Sequence, residues 1–131
     1  MPVKGLTVIS ASQACSEHPP PDHTHSSSLY VLYFPYLNQQ NQLIAHETLF
    51  AGSISSTEVH PREVVKRALY FNAAAVILAH NHPSGETTPS QADKALTQRL
   101  VQTLQLVDIR VPDHLIVGGR QIYSFAEHGL L

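Results

Sequence analysis

The chain has a single cysteine, Cys15, so no intrachain disulfide can form and a disulfide-stapled secreted fold is excluded. The same scarcity means that any metal ion must be held by His, Asp or Glu. Long apolar runs are also missing. The longest, Ala73 to Ala79, falls far short of the roughly 20 residues a membrane-crossing helix needs. Residues 1–15 carry one lysine and no apolar stretch of signal-peptide type, which makes the cytoplasm the expected compartment. Charge is sparse as well: 14% of residues are Asp, Glu, Lys or Arg, with a net charge of −2. That balance gives no electrostatic basis for binding DNA or an anionic membrane.

What remains is enough for one domain with a loose end. A chain of 131 residues that is 43% hydrophobic can bury a real core. Residues 1–28 form an irregular Pro/Ser/His-rich segment, in which Pro19-Pro20-Pro21 and the polar residues around it permit neither helix nor central strand. Its histidines, His18, His23 and His25, are read as part of a solvated tail rather than as ligands. From residue 29 to 131 the pattern is globular. Leu29 to Leu37 suits a buried strand, with Pro35 demoting its end to an edge or bulge, and Gln42 to Phe50 pairs with it as a hairpin. The open edge of that hairpin leaves a homodimer as an expectation.

Pro61 stands at a first helical position, and Val64, Val65, Ala68, Leu69 and Phe71 form an apolar face. Glu63 and Arg67 fall four apart on the wet side. Ala73 to Ala79 reads as one strand buried on both faces. Ser90 opens a second helix with a stripe of Ala92, Leu96, Leu100 and Leu104, joined by Val101. Ile109–Val111, Leu115–Val117 and Gln121–Phe125 are short strand candidates. The sum is a mixed α/β domain with helices packed on a central sheet.

The buried strand runs into His80-Asn81-His82. Residues at i and i+2 of an extended segment point the same way, so both imidazoles can converge on one point. Pro83 stiffens the exit and Gly85 permits a sharp reversal. Asp93, in the first turn of the second helix, can face back toward them. Two His and one Asp make a set for Zn²⁺ with a fourth position left for water, whose pKa the ion would lower from 15.7 to about 7. A competing reading is purely structural: Ser90-x-x-Asp93 is a capping box, and His-x-His in a loop can be solvated. Spacing alone leaves both readings open.

Together, His80-x-His82-Pro83 and Pro89-Ser90-x-x-Asp93 resemble the JAMM (MPN+ or JAB) metalloprotease motif. His60-Pro61-Arg62-Glu63, Asn72-Ala73-Ala74-Ala75, Ala79 to Gly85 and Asp113 to Gly118 look like its RadC branch, over roughly Leu43 to Leu131. The resemblance implies a cytidine-deaminase-like α/β/α domain, with zinc held by His80, His82 and Asp93. It gives Ser90 the role of hydrogen-bonding the oxyanion, and it brings His114 near the site, where a core histidine bonded to backbone is the alternative. It implies hydrolysis of a peptide or isopeptide-like amide bond in a peptide or protein substrate. The alternative is a metal-binding, catalytically impaired interaction domain associated with DNA repair or processing.

One element of the family pattern is missing. Its catalytic glutamate belongs at the start of the first core strand, where this chain reads His25-Ser26-Ser27-Ser28-Leu29-Tyr30. Glu47, Glu17 and Asp22 are the candidate substitutes, with Glu47 read foremost as an exposed strand residue. Residues 1–28 are therefore expected to differ from the family's own N-terminal region through divergence, truncation or a shifted reading frame. No helix-hairpin-helix module fits there. Arg62, His46 and His128 are read as surface residues.

Overall fold

The computed structural model describes residues 29–53 and 59–131, with side chains described for 31–49 and 59–131. The elements are β1 (Leu29–Leu37), β2 (Leu43–Ser53), α1 (Pro61–Tyr70), β3 (Ala75–Val76), β4 (Leu78–Asn81), α2 (Gln91–Gln105), β5 (His114–Gly118) and β6 (Gln121–Ser124). One mixed sheet runs β2-β1-β4-β5-β6, with β3 paired to β1 beside β4. Among the described strands β4 and β5 form the parallel pair, and α2 is the crossover between them, as a parallel connection requires. The loop after β4 and the start of α2 thus meet beyond the carboxyl ends of the parallel pair, where open α/β sheets place their sites. No helix among the described residues is long and apolar enough to cross a membrane.

Strand alternation sorts the core into two clusters. Leu32, Phe34, Tyr36 and Leu78 pack against Val64 and Ala68 of α1 and Leu100 and Leu104 of α2. Tyr33, Leu37, Ala75, Ile77, Ala79 and Leu115 form the other cluster. Both described helices therefore cover one face of the sheet. His80 pairs with Leu32 across the β1–β4 ladder, which puts its side chain on the helix side. Each fully buried Leu or Ile in such a core contributes about 1.5–3 kcal/mol.

Several expectations are corrected by the structure. Of the two outcomes expected at Pro35, an edge or a bulge, the edge is not found, since β1 stays central between β2 and β4. The register against β2 does shift between Tyr36 and Leu37. The proline also acts on its neighbouring strand. Ile77 N–H donates to the Pro35 carbonyl at 2.9 Å, and Pro35 has no N–H to return. The expected single strand over Ala73–Ala79 is accordingly broken at Ile77 into β3 and β4. The expected strand at Ile109–Val111 makes only one bridge, Ala75 with Arg110. Finally, the buried stripe of α2 is Asp93, Thr97, Leu100 and Leu104, not one that includes Ala92. Two polar residues occupy the core-facing turn because polar partners await them there. On α1, Leu69 is 56% exposed, so the apolar face is narrower than its sequence suggests.

The end of β5 presses against the loop after His82. A Cβ added to Gly118 would lie 2.6 Å from the Gly85 carbonyl oxygen and 2.9 Å from Thr87 Cγ2. Gly85 itself has φ +87, in the left-handed region that favours glycine. Gly118→Ala should therefore cost about 1–3 kcal/mol, as overpacking does. A lower urea midpoint with an unchanged denaturant slope would show it, and an unshifted midpoint would count against so close a contact.

Candidate metal centre

His80 leaves β4 on the helix side and is fully buried, while His82, two residues on, is partly buried. The i, i+2 spacing holds: the two rings lie 4.9 Å apart between centroids, with their Nε2 atoms 3.0 Å apart. His82 is anchored twice, its N–H donating to the Val117 carbonyl and its Nδ1 lying 2.7 Å from the Glu86 carbonyl. A carbonyl only accepts, so Nδ1 of His82 carries the proton and Nε2 presents a lone pair to the centre. Asn81, between the two histidines, points to the other side and accepts from Val31 N–H at 2.7 Å, clamping β1 against β4.

Asp93 completes the group from the first turn of α2. Its Oδ2 is 3.0 Å from His82 Nε2 and its Oδ1 is 3.3 Å from His80 Nε2. The ligand atoms of His80, His82 and Asp93 lie within 4.8 Å of one another, so the three could hold a metal ion. The donor chemistry fits: two imidazole nitrogens and a carboxylate facing one point can hold a cation between them. Ser90 and Asp93 also form the capping box, with Ser90 Oγ accepting from Asp93 N–H at 3.0 Å and Asp93 Oδ2 accepting from Ser90 N–H at 2.8 Å. The capping reading of this segment is realised, and a carboxylate has lone pairs enough to serve the cap and still face a cation. Ser90 Oγ acts as acceptor in the cap, which leaves its O–H to donate elsewhere.

Behind this group lies a residue pair that the sequence indicated only in part. His114, at the start of β5, is fully buried. Its Nε2 is 2.6 Å from His80 Nδ1, its Nδ1 is bonded to Thr97 Oγ1, and its ring stacks on Phe125 at 4.3 Å between centroids. Thr97 Oγ1 in turn donates to the Asp93 carbonyl at 2.8 Å. Burial holds the pKa of His80 below the ordinary value, and that of His114 well below it, so both favour the neutral ring. Thr97 was missed because a threonine inside a helix carries no signal of its own; the signal available was its position one turn after Asp93. Asp113 sets the β5 start, accepting from His114 N–H, Ala126 N–H and the Ser124 hydroxyl.

The remaining candidates are dispersed. Glu47 is neither an exposed strand residue nor part of the centre: Arg67 holds it by two bonds of 2.7 and 3.0 Å, and the Tyr36 hydroxyl donates to it at 3.0 Å. Arg67, expected on the wet side facing Glu63, makes this bond instead, and Glu63 approaches Lys66 at 3.6 Å. Arg62, His46 and His128 are exposed. Cys15, Glu17, His18, Asp22, His23 and His25 lie outside the described residues. The Arg67 hydrogen bonds hold the Glu47 carboxyl below its usual value of 4.5. A carboxyl with a depressed folded pKa contributes stability that is present above its unfolded pKa and lost as pH falls through the folded one. Urea midpoints of Glu47→Gln should therefore decline less than those of the parent chain between about pH 6 and pH 3. Parallel declines would show that the pair contributes nothing to acid stability.

Comparison with known proteins agrees with this geometry. A family model described as "RadC-like JAB domain" matches residues 13–130, so the similarity extends further toward the N-terminus than the motifs carried it and includes part of the 1–28 segment. The chain is 96% identical over 96 residues to the UPF0758 protein YfjY of Escherichia coli, which is 73% of this chain and 60% of that protein. It is 91% identical over 96 residues to YkfG, covering 61% of that protein, and 79% identical over 96 residues to YeeS, covering 65%, both from the same organism. The chain thus spans less than two-thirds of the length of these relatives. With the sheet, the crossover helix and the His-His-Asp group all where that family model places the match, the chain belongs to the RadC-like JAB domain family.

Proposed function

We propose that the chain is a zinc-dependent hydrolase of the JAB type, acting on a peptide or isopeptide-like amide bond. The observation that carries this reading is the convergence of His80 Nε2, His82 Nε2 and an Asp93 oxygen on one point at the end of a rigid buried strand. Zinc held there would polarise a carbonyl and acidify water to a pKa of about 7. The chain's own residues orient the rest. His82 is fixed by the Glu86 carbonyl, and Asp93 is fixed by Ser90 N–H. The Ser90 hydroxyl, exposed to solvent, would donate to the developing oxyanion.

A second reading has an observation of its own. No glutamate joins the His80–His82–Asp93 group among the described residues, and Glu47 is committed to Arg67. Losing a general base costs on the order of 10² to 10⁴ in rate, so a metal-binding interaction domain with little turnover follows from the same site. One experiment separates the two readings. The purified chain should take up zinc, and both His80→Ala and Asp93→Ala should lose it while remaining folded. Hydrolysis of a peptide and isopeptide panel that disappears with chelator and returns with zinc supports the hydrolase. Zinc uptake without turnover supports the interaction domain, and a folded parent chain that takes up no zinc overturns both.

A further inference from the structure

The four-residue chain behind the centre has a direction, and the direction has a consequence. It runs from the Asp93 carbonyl through the Thr97 hydroxyl and the His114 ring to Nδ1 of His80. A carbonyl oxygen can only accept, so the single hydroxyl proton of Thr97 points at Asp93. Thr97 Oγ1 can then only accept from His114, which places the His114 proton on Nδ1. His114 Nε2 is left as an acceptor, and the 2.6 Å contact to His80 Nδ1 requires the proton to sit on His80. His80 Nε2, facing His82 and Asp93, is left with its lone pair. Each step follows from the one before, with one proton per link.

We propose that Thr97 and His114 are positioning residues that lock His80 in the tautomer presenting Nε2 to a metal ion. The proposal rests on the reading of His80, His82 and Asp93 as a metal site. Two features make the lock tight. The relay begins at the backbone of Asp93, itself one of the three donors, so two of them are tied together through α2 and β5. And no water is needed at any link, since His80 and His114 are fully buried and Thr97 is 2% exposed. Phe125 stacks on the His114 ring and prevents it from turning over. A histidine that ligates a metal needs its other nitrogen protonated and held, and loss of such a partner typically weakens metal binding 10- to 100-fold.

The test uses the full chain and zinc alone. Nitrogen-15 NMR of metal-free protein should show His80 protonated at Nδ1. Thr97→Val keeps the shape but gives His114 Nδ1 no acceptor. It should weaken zinc binding on the order of 10- to 100-fold and disturb the His80 signature, whereas Thr97→Ser should restore both. His114→Leu should behave as Thr97→Val does. His114→Gln, whose amide can accept from His80 and donate to Thr97, should recover much of the loss. Should the leucine variant fail to fold, the threonine pair and the glutamine variant carry the comparison. A parent chain with His80 protonated at Nε2 alone, or a Thr97→Val variant with unchanged affinity and an unchanged His80 signature, overturns the proposal. If the parent chain binds no zinc, the metal reading fails, and the metal-free spectra of parent and variants still decide whether the lock exists.

Discussion

Burial of His80 is the constraint on which the rest of this structure turns. A ring with two polar nitrogens and no access to water costs several kcal/mol unless both are matched. β4 carries it to the middle of the sheet, with β1 on one side and β5 on the other. The neighbours then cannot be arbitrary. His114 is polar where a β5 strand would otherwise hold Val or Ile, and Thr97 is polar where the α2 stripe would otherwise be apolar. Asp113 is buried to hold the start of β5 in register. One histidine in the core recruits a column of polar residues running from the helix into the sheet.

The Tyr36–Glu47–Arg67 group shares the helix-bearing face of the sheet with this column but sits further along β1. Glu47 pairs with Phe34 on β1, whereas His80 pairs with Leu32. The ion pair ties β2 to α1, and Arg67 also lies over the Tyr70 and Phe71 rings. It is a packing device at one end of the domain, while the His-His-Asp group occupies the other. A carboxylate so thoroughly satisfied is a poor proton shuttle, since taking a proton means giving up its guanidinium.

Much of this was legible in the sequence, for physical reasons that differ by element. Alternation put His80 and His82 on one side, and the helix start put Asp93 in reach, because both follow from local backbone geometry. The capping box was visible for the same reason. What sequence could not show was which neighbours would be opposite. The break at Ile77 depends on Pro35 in another strand. The partner of Arg67 lies on β2 rather than one turn away, because a partly buried carboxylate offers a stronger bond than an exposed Glu63. The polar stripe of α2 reads as a flaw in amphipathicity until His114 is placed against it. Family resemblance supplied the ligand set where spacing left it open, and the geometry supplied the support behind it.

The double duty of Asp93 has a mechanical side. The carboxylate that faces His80 and His82 is also the one that accepts Ser90 N–H and closes the first turn of α2. Fraying of that turn and loss of a donor are therefore one event, not two. An ion bound at the group would act as a rivet on the helix start, lowering the population of frayed states in proportion to its occupancy. Conversely, the intrinsic tendency of α2 to begin at Ser90 prepays part of the ordering that ion capture would otherwise demand.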